Sequence, residues 1–256
     1  MTELIICLVA LFGSALTFFS GFGLGTILVP VFALFFPLEL AIALTAIVHF
    51  LNNLFKLSLI GKNINKKTVL HFGIPSILGA IVGAYLLTFI SKMNPIFEYT
   101  FYDRTFQVMP VKLTIAILLL LFALFEIIPK LSQLEFDTKY LKIGGLLSGF
   151  FGGLSGNQGA LRTVFLIRAN LSKESFIATG VVIACLVDVI RLSVYGEQIF
   201  KNTELNYSLI IISTISAFIG AFIGNKLLKK VTIVTIKYVV SAVLIIFSFL
   251  LGLGII

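Results

Sequence analysis

Two apolar stretches of this sequence, residues 4 to 36 and 143 to 169, are longer than one crossing of a bilayer requires. Each is broken near its middle by glycines, SGFGLG at 20 to 25 and GGLSGNQGALR at 152 to 162. A membrane-spanning helix needs roughly 20 apolar residues. Backbone that leaves the helix at membrane depth finds no hydrogen-bond partner in lipid, so each break must pack against protein or line a cavity. Around them lie runs of ordinary spanning length, near 38 to 60, 68 to 90, 111 to 129, 172 to 195, 207 to 225 and 232 to 254. With 59% hydrophobic residues, 12% charged residues and a mean hydropathy of +1.13, the chain lies outside soluble norms and predicts an all-α membrane protein.

The start of the chain, MTELIICLVALFGSALTFF, lacks a basic segment and a small-residue cleavage site, so it is expected to remain as the first span. Cys7 and Cys185 sit in apolar runs without metal-ligand or CxxC spacing, and neither a cofactor nor a metal is expected. The net charge of +8 does not point to nucleic acid, because no basic stripe is interleaved with aromatics. Lysines cluster instead in GKNINKK (61 to 67), PKLSQLEFDTKYLK (129 to 142) and NKLLKK (225 to 230), whereas 91 to 110 and 196 to 206 are mixed or acidic. Basic loops mark the cytoplasmic side. On that reading the spans alternate and both termini lie outside a plasma (inner) membrane.

The chain also repeats. Gly25 to Thr45 spans the same interval as Gly159 to Thr179, LTAIV (44 to 48) resembles ATGVV (178 to 182), and GAIVGAYL (79 to 86) resembles SAFIGAFI (216 to 223). VKLTIAILLLLFALF (111 to 125) matches IKYVVSAVLIIFSFL (236 to 250), while MNPIFEYTFYDR (93 to 104) has no counterpart. Residues 1–129 and 140–256 are therefore expected to be two repeats joined by a cytoplasmic linker, 130–139. Each repeat is a glycine-interrupted helical hairpin plus three transmembrane helices. Three spans is an odd number, so the halves run in opposite directions, as in secondary transporters.

The polar residues follow from that plan. A half-helix after each glycine cluster, starting near Thr26 and near Gln158, directs free N–H groups and its positive dipole end toward the bilayer centre, where an anion can be held. Asn157 is placed to cap the second half-helix. Arg162, about one turn inside it, adds a planar fork suited to a carboxylate, sulfite or sulfonate. Gly23, Gly25, Thr26, Asn157, Gln158, Gly159 and Arg162 are the candidate substrate ligands. His49, Asn52, Asn53 and Lys56 share one helical face. His49 is either a hydrogen-bonded neutral imidazole, a substrate ligand or a proton carrier, and Asn53 either bonds across helices or joins the site. Lys56, close to the cytoplasmic end, is expected to snorkel. Asp188 and Arg191, spaced i, i+3, form either a structural ion pair near the outer interface or a coupling or gating pair. A membrane enzyme would need a catalytic cluster, and with only His49 and His71 there is no HExxH or GxSxG pattern. An anion channel, or a carrier of a non-sulfur carboxylate, shares the basic central site.

The GxGxG segment followed by ILVPVF (27 to 32), ALT (43 to 45), GAIVGAY (79 to 85) and their second-half counterparts resemble the sulfite exporter TauE/SafE family. The resemblance covers nearly the whole chain. It implies a bacterial-type inner-membrane transporter of sulfur-containing anions such as sulfite, thiosulfate, sulfoacetate or other sulfonates, with two inverted halves whose glycine loops meet at a central site. The expected mechanism is alternating access, with a proton or sodium ion as the coupling ion where uptake needs one. The family's first glycine motif falls on Gly21, Gly23 and Gly25 with Pro30, the second on Gly156 and Gly159. The second departs from the glycine-rich pattern through Asn157, Gln158 and Arg162.

Overall fold

The computed structural model describes residues 1–20, 23–202, 206–227 and 233–256. Nearly all of it is helix. The first long apolar stretch forms α1 (Thr2–Ser20) and α2 (Leu24–Ala33), and the second forms α6 (Leu141–Ser155) and α7 (Gly159–Leu166). At 10 and 8 residues, α2 and α7 are each no more than about 15 Å long, half the thickness of a hydrocarbon core. They are the half-helices that the glycine clusters predict, starting at Leu24 and Gly159. Between and after them come α3 (Leu38–Ile60), α4 (Lys66–Ile90), α5 (Pro110–Ile127), α8 (Lys173–Asn202), α9 (Tyr207–Leu227) and α10 (Ile233–Gly252). Among the described residues, five helices are long and apolar enough to cross a membrane: α3, α4, α5, α8 and α9. Gly21 of the first glycine motif lies outside the described residues.

The helices pack in pairs. α4 lies along α6 and α1 along α9, α3 crosses α8, and α5 packs on α10. Between helices surrounded by lipid the driving force is close packing of small residues, not exclusion of water. At Gly83 the approach is so close that a Cβ would sit 2.1 Å from the carbonyl oxygen of Phe150, and at Gly220 one would sit 2.0 Å from that of Leu11. No residue but glycine fits there. These are the matching glycines of GAIVGAYL and SAFIGAFI. The outward faces are apolar and exposed, with Leu78, Val82, Tyr85 and Phe89 on α4 and Ile211, Ile215 and Ile219 on α9. The buried interior carries the polar residues, an inversion of the soluble pattern that fits lipid as the surrounding solvent.

Two features were not expected. The segment without a repeat counterpart folds as a β-hairpin, β1 (Phe97–Phe101) with β2 (Arg104–Val108), in antiparallel register. Tyr102 and Asp103 turn it with positive φ values of 45° and 58°, the conformation of a two-residue hairpin turn. The hairpin rests on the end of α10, where the Tyr99 hydroxyl donates to the Leu253 carbonyl at 2.7 Å. Second, the first turns of α4 widen into a π-helical segment at Val69–Gly73. The segment 130–139 is mostly exposed but touches α7 at one point: Phe136 stacks on Phe165 with ring centroids 4.6 Å apart, and its N–H donates to the Val164 carbonyl.

Candidate functional site

α3 and α8 cross, and among the described residues they carry three of the four buried Lys, Arg, Asp and Glu side chains, Lys56, Asp188 and Arg191, with Arg162 on α7. His49, Asn52, Asn53 and Lys56 of α3 are all buried, as their common helical face requires. His49 meets Asp188 of α8, with Nδ1 2.5 Å from Oδ2. A carboxylate can only accept, so Nδ1 carries the proton and Nε2 is left to accept from the Asn53 amide nitrogen at 3.3 Å. The other Asp188 oxygen faces Arg191 Nη1 at 3.6 Å, and both residues are fully buried. Arg191 therefore faces Asp188 in the buried interior of the protein. The contact of His49 with Asp188, 139 residues apart, was not foreseen.

The two glycine turns converge on this cluster. An added Cβ at Gly23 would lie 3.0 Å from His49 Nε2. Gly156 has φ +79°, and a Cβ there would lie 2.6 Å from Arg191 Nη1, so both its conformation and the guanidinium beside it demand glycine. A Cβ on Gly25 would lie 3.4 Å from the Gly156 carbonyl oxygen, which puts the two turns in contact. Thr26 donates its N–H to the Gly23 carbonyl at 3.1 Å as α2 begins.

Beside the cluster is a small cavity of about 30 Å³, lined among others by Gly23, His49, Asn53, Lys56, Arg162 and Gly180. It has room for one or two water molecules. Gly180 makes space for Arg162, since a Cβ there would come within 3.2 Å of its Nε. Of the residues expected to hold substrate, Gly23, His49, Asn53 and Arg162 line this cavity among the described residues, whereas Gly25, Thr26, Asn157, Gln158 and Gly159 stand at the turns behind it.

Two expectations need correction. Lys56 does not snorkel: it is 3% exposed, lies with its ammonium 5.4 Å from the centre of the Phe18 ring, and lines the cavity. The inner end of α1 covers it, which counting residues along α3 cannot reveal. Asn157 does not cap α7. The N-cap position is Gln158, without a side-chain cap, and among the described residues both polar atoms of the Asn157 and Gln158 amides lack a hydrogen-bond partner although the residues are only 3% exposed. The Asn157 N–H instead donates to Ser155 Oγ at 3.3 Å. Asn52 bonds across helices, accepting from Ser14 at 3.1 Å.

A helical protein with half-helices meeting at a buried cationic cavity belongs to the polytopic membrane transporters. The family model Sulfite exporter TauE/SafE matches residues 6–251, and the chain belongs to that family. Membership makes it a membrane transporter of sulfur anions such as sulfite, in a family of transporters and not enzymes. Among curated proteins, none matches it.

Proposed function

We propose that the chain is a secondary carrier that moves a small sulfur-containing anion, such as sulfite, thiosulfate or sulfoacetate, by alternating access through the cavity between α3, α7 and α8. The observation that carries this reading is the placement of Arg162 on a small, largely buried cavity that Gly23 also lines. A guanidinium with planar donors matches a sulfite or sulfonate edge. The unpartnered amides of Asn157 and Gln158 support it, because buried polar groups without partners are costly and a substrate reaching the second turn would satisfy them. Residues 1–129 and 140–256 act as two inverted halves that rock about the site. The pairing of α4 with α6 and of α9 with α1 supports that reading, since exchanging the halves maps one pair onto the other. Both termini face outward across the inner membrane in this scheme.

His49, Asp188 and Arg191 couple the movement. A proton arriving at His49 Nε2 turns the Asn53 amide so that its oxygen faces the ring, and the imidazolium then shares Asp188 with Arg191. Protonation thus adds positive charge beside the substrate at the moment an anion needs it. A sodium ion is the alternative coupling ion. Export needs no coupling, because an anion leaving an inside-negative cell gains about 2.3 kcal/mol per charge per 100 mV.

The test is counterflow of radiolabelled sulfite, thiosulfate and sulfoacetate in proteoliposomes holding the full chain. A carrier shows saturable exchange that Arg162→Gln removes. Conductance far above carrier turnover would make the protein a channel, and exchange unaffected by Arg162→Gln would remove Arg162 from the site. His49→Gln is expected to keep exchange but lose its response to a pH gradient.

A further inference from the structure

α1 brings to the cavity a polar side chain that belongs to no motif. Thr17 lies in the last turn of α1, just before the first glycine turn, and is 3% exposed. A hydroxyl inside an apolar helix commonly bonds to the carbonyl four residues before it. Thr88, Thr114, Thr163 and Ser248 all donate in this way. Thr17 does not: among the described residues its Oγ1 is buried without a hydrogen-bond partner. The hydroxyls of Thr45, Thr214 and Ser241 share that condition, but of these four residues only Thr17 lines the cavity, where it stands with Lys56 of α3 and Arg162 of α7. A buried hydroxyl without a partner costs stability, and a ligand that accepts its proton removes that cost.

We propose that Thr17 is a substrate ligand whose hydroxyl donates to an oxygen of the anion from the α1 side of the cavity. The inference rests on the anion-site reading of Arg162 and adds to it a contact from α1. The chemistry it fits is an oxyanion, because each oxygen of a sulfite or sulfonate group accepts hydrogen bonds and a hydroxyl can turn its proton toward whichever oxygen comes near. A hydrogen bond to a charged acceptor is stronger than a neutral one, so the contact bears on affinity. α1 lies in residues 1–129 and α7 in 140–256, so an anion held by Thr17 and Arg162 bridges the two proposed halves. A ligand that touches both halves at once favours their closed arrangement over an open one.

The experiment is thermal-shift titration of the purified full chain with sulfite, thiosulfate and sulfoacetate, for wild type, Thr17→Val, Thr17→Ala, Thr17→Ser and Arg162→Gln. A ligand that binds only the folded state raises the melting temperature with concentration. Valine keeps the shape of threonine without the hydroxyl, so Thr17→Val should need about tenfold more anion for the same shift, as should Thr17→Ala, while Thr17→Ser stays within about threefold of wild type. Without ligand, Thr17→Val should melt no lower than wild type, because it removes an unpartnered polar group. A lower melting temperature for ligand-free Thr17→Val means that the hydroxyl is bonded within the protein, which overturns the proposal. Unchanged binding in Thr17→Val and Thr17→Ala, the result if the hydroxyl holds only a water, also overturns it, as does binding weakened equally in Thr17→Ser. In each of these cases, a response that Arg162→Gln abolishes leaves the anion site standing. If no anion shifts the wild type, or Arg162→Gln responds equally, both readings fall together.

Discussion

Replacing Asp188 by asparagine keeps the shape of the α3–α8 crossing and removes the one buried carboxylate among the described residues. The introduced amide can still accept from His49 through its oxygen, but its nitrogen then faces Arg191, donor against donor. At 3.6 Å and an effective dielectric of about 20, the attraction lost between Asp188 and Arg191 is about 4–5 kcal/mol. Removing one partner of a buried pair generally costs about 3–5 kcal/mol, because the surviving charge is left unpaired. For a chain of this length, about 2–4 °C accompanies each kcal/mol, so the melting temperature should fall by about 6–20 °C. Removing the orphan as well should restore much of the loss. Thermal unfolding in detergent of Asp188→Asn, Arg191→Met and the double variant forms a cycle in which the double variant should lie well above the sum of the single losses. A single-variant loss below about 1 kcal/mol, or strict additivity, would refute the view that this pair holds the two helices together.

Gly83→Ala should force α4 from α6 by more than an ångström, since its Cβ meets the Phe150 carbonyl at 2.1 Å; a thermal unfolding series should show a loss of about 1–3 kcal/mol or more. Gly61→Ala, whose nearest contact is 3.8 Å away, should change stability by less than about 0.5 kcal/mol and serves as its control. Gly180→Ala should displace the Arg162 guanidinium by a few tenths of an ångström and weaken anion binding about fivefold, roughly one hydrogen bond, with the melting temperature of the empty protein nearly unchanged. Tyr195→Phe removes a buried hydroxyl that donates to the Gly153 carbonyl and should cost about 1 kcal/mol in the same unfolding assay.

How far the sequence shows this architecture depends on whether a feature is local. Apolar length and glycine position are local, so the two broken hairpins and the start of α2 near Thr26 and of α7 near Gln158 can be read within two residues. The common face of His49, Asn53 and Lys56 is likewise a matter of helical spacing. The meeting of His49 with Asp188 is not, because it depends on where α3 and α8 cross, and no spacing along either helix encodes that. Lys56 escapes a reading by residue count for the same reason: it sits one turn from the end of α3, and only the packing of Phe18 against it makes it interior. The β-hairpin did leave a signal, since the aromatic and Thr residues of FEYTF and RTFQV suit strands, but its turn, Tyr102–Asp103, lacks the usual Asn-Gly pair. Asn157 matches a capping pattern, yet Gln158 takes the N-cap position because the left-handed turn at Gly156 carries the chain one residue further before the helix begins.

The basic cavity and the broken hairpins bear on each other. A half-helix that starts at membrane depth leaves backbone donors that lipid cannot satisfy, and Lys56 and Arg162 line the same cavity of about 30 Å³. In the proposed carrier, an anion held there meets both the cations and the half-helix N–H groups. In the proposed cycle the elements around that cavity of about 30 Å³ part to admit the anion. The joint that can part is where Gly25 meets the Gly156 carbonyl, a contact between two turns with no side chain interlocking them. Glycine at these positions thus serves two ends: it lets the turns approach each other and His49 and Arg191, and it leaves between them a seam that an incoming charge can open.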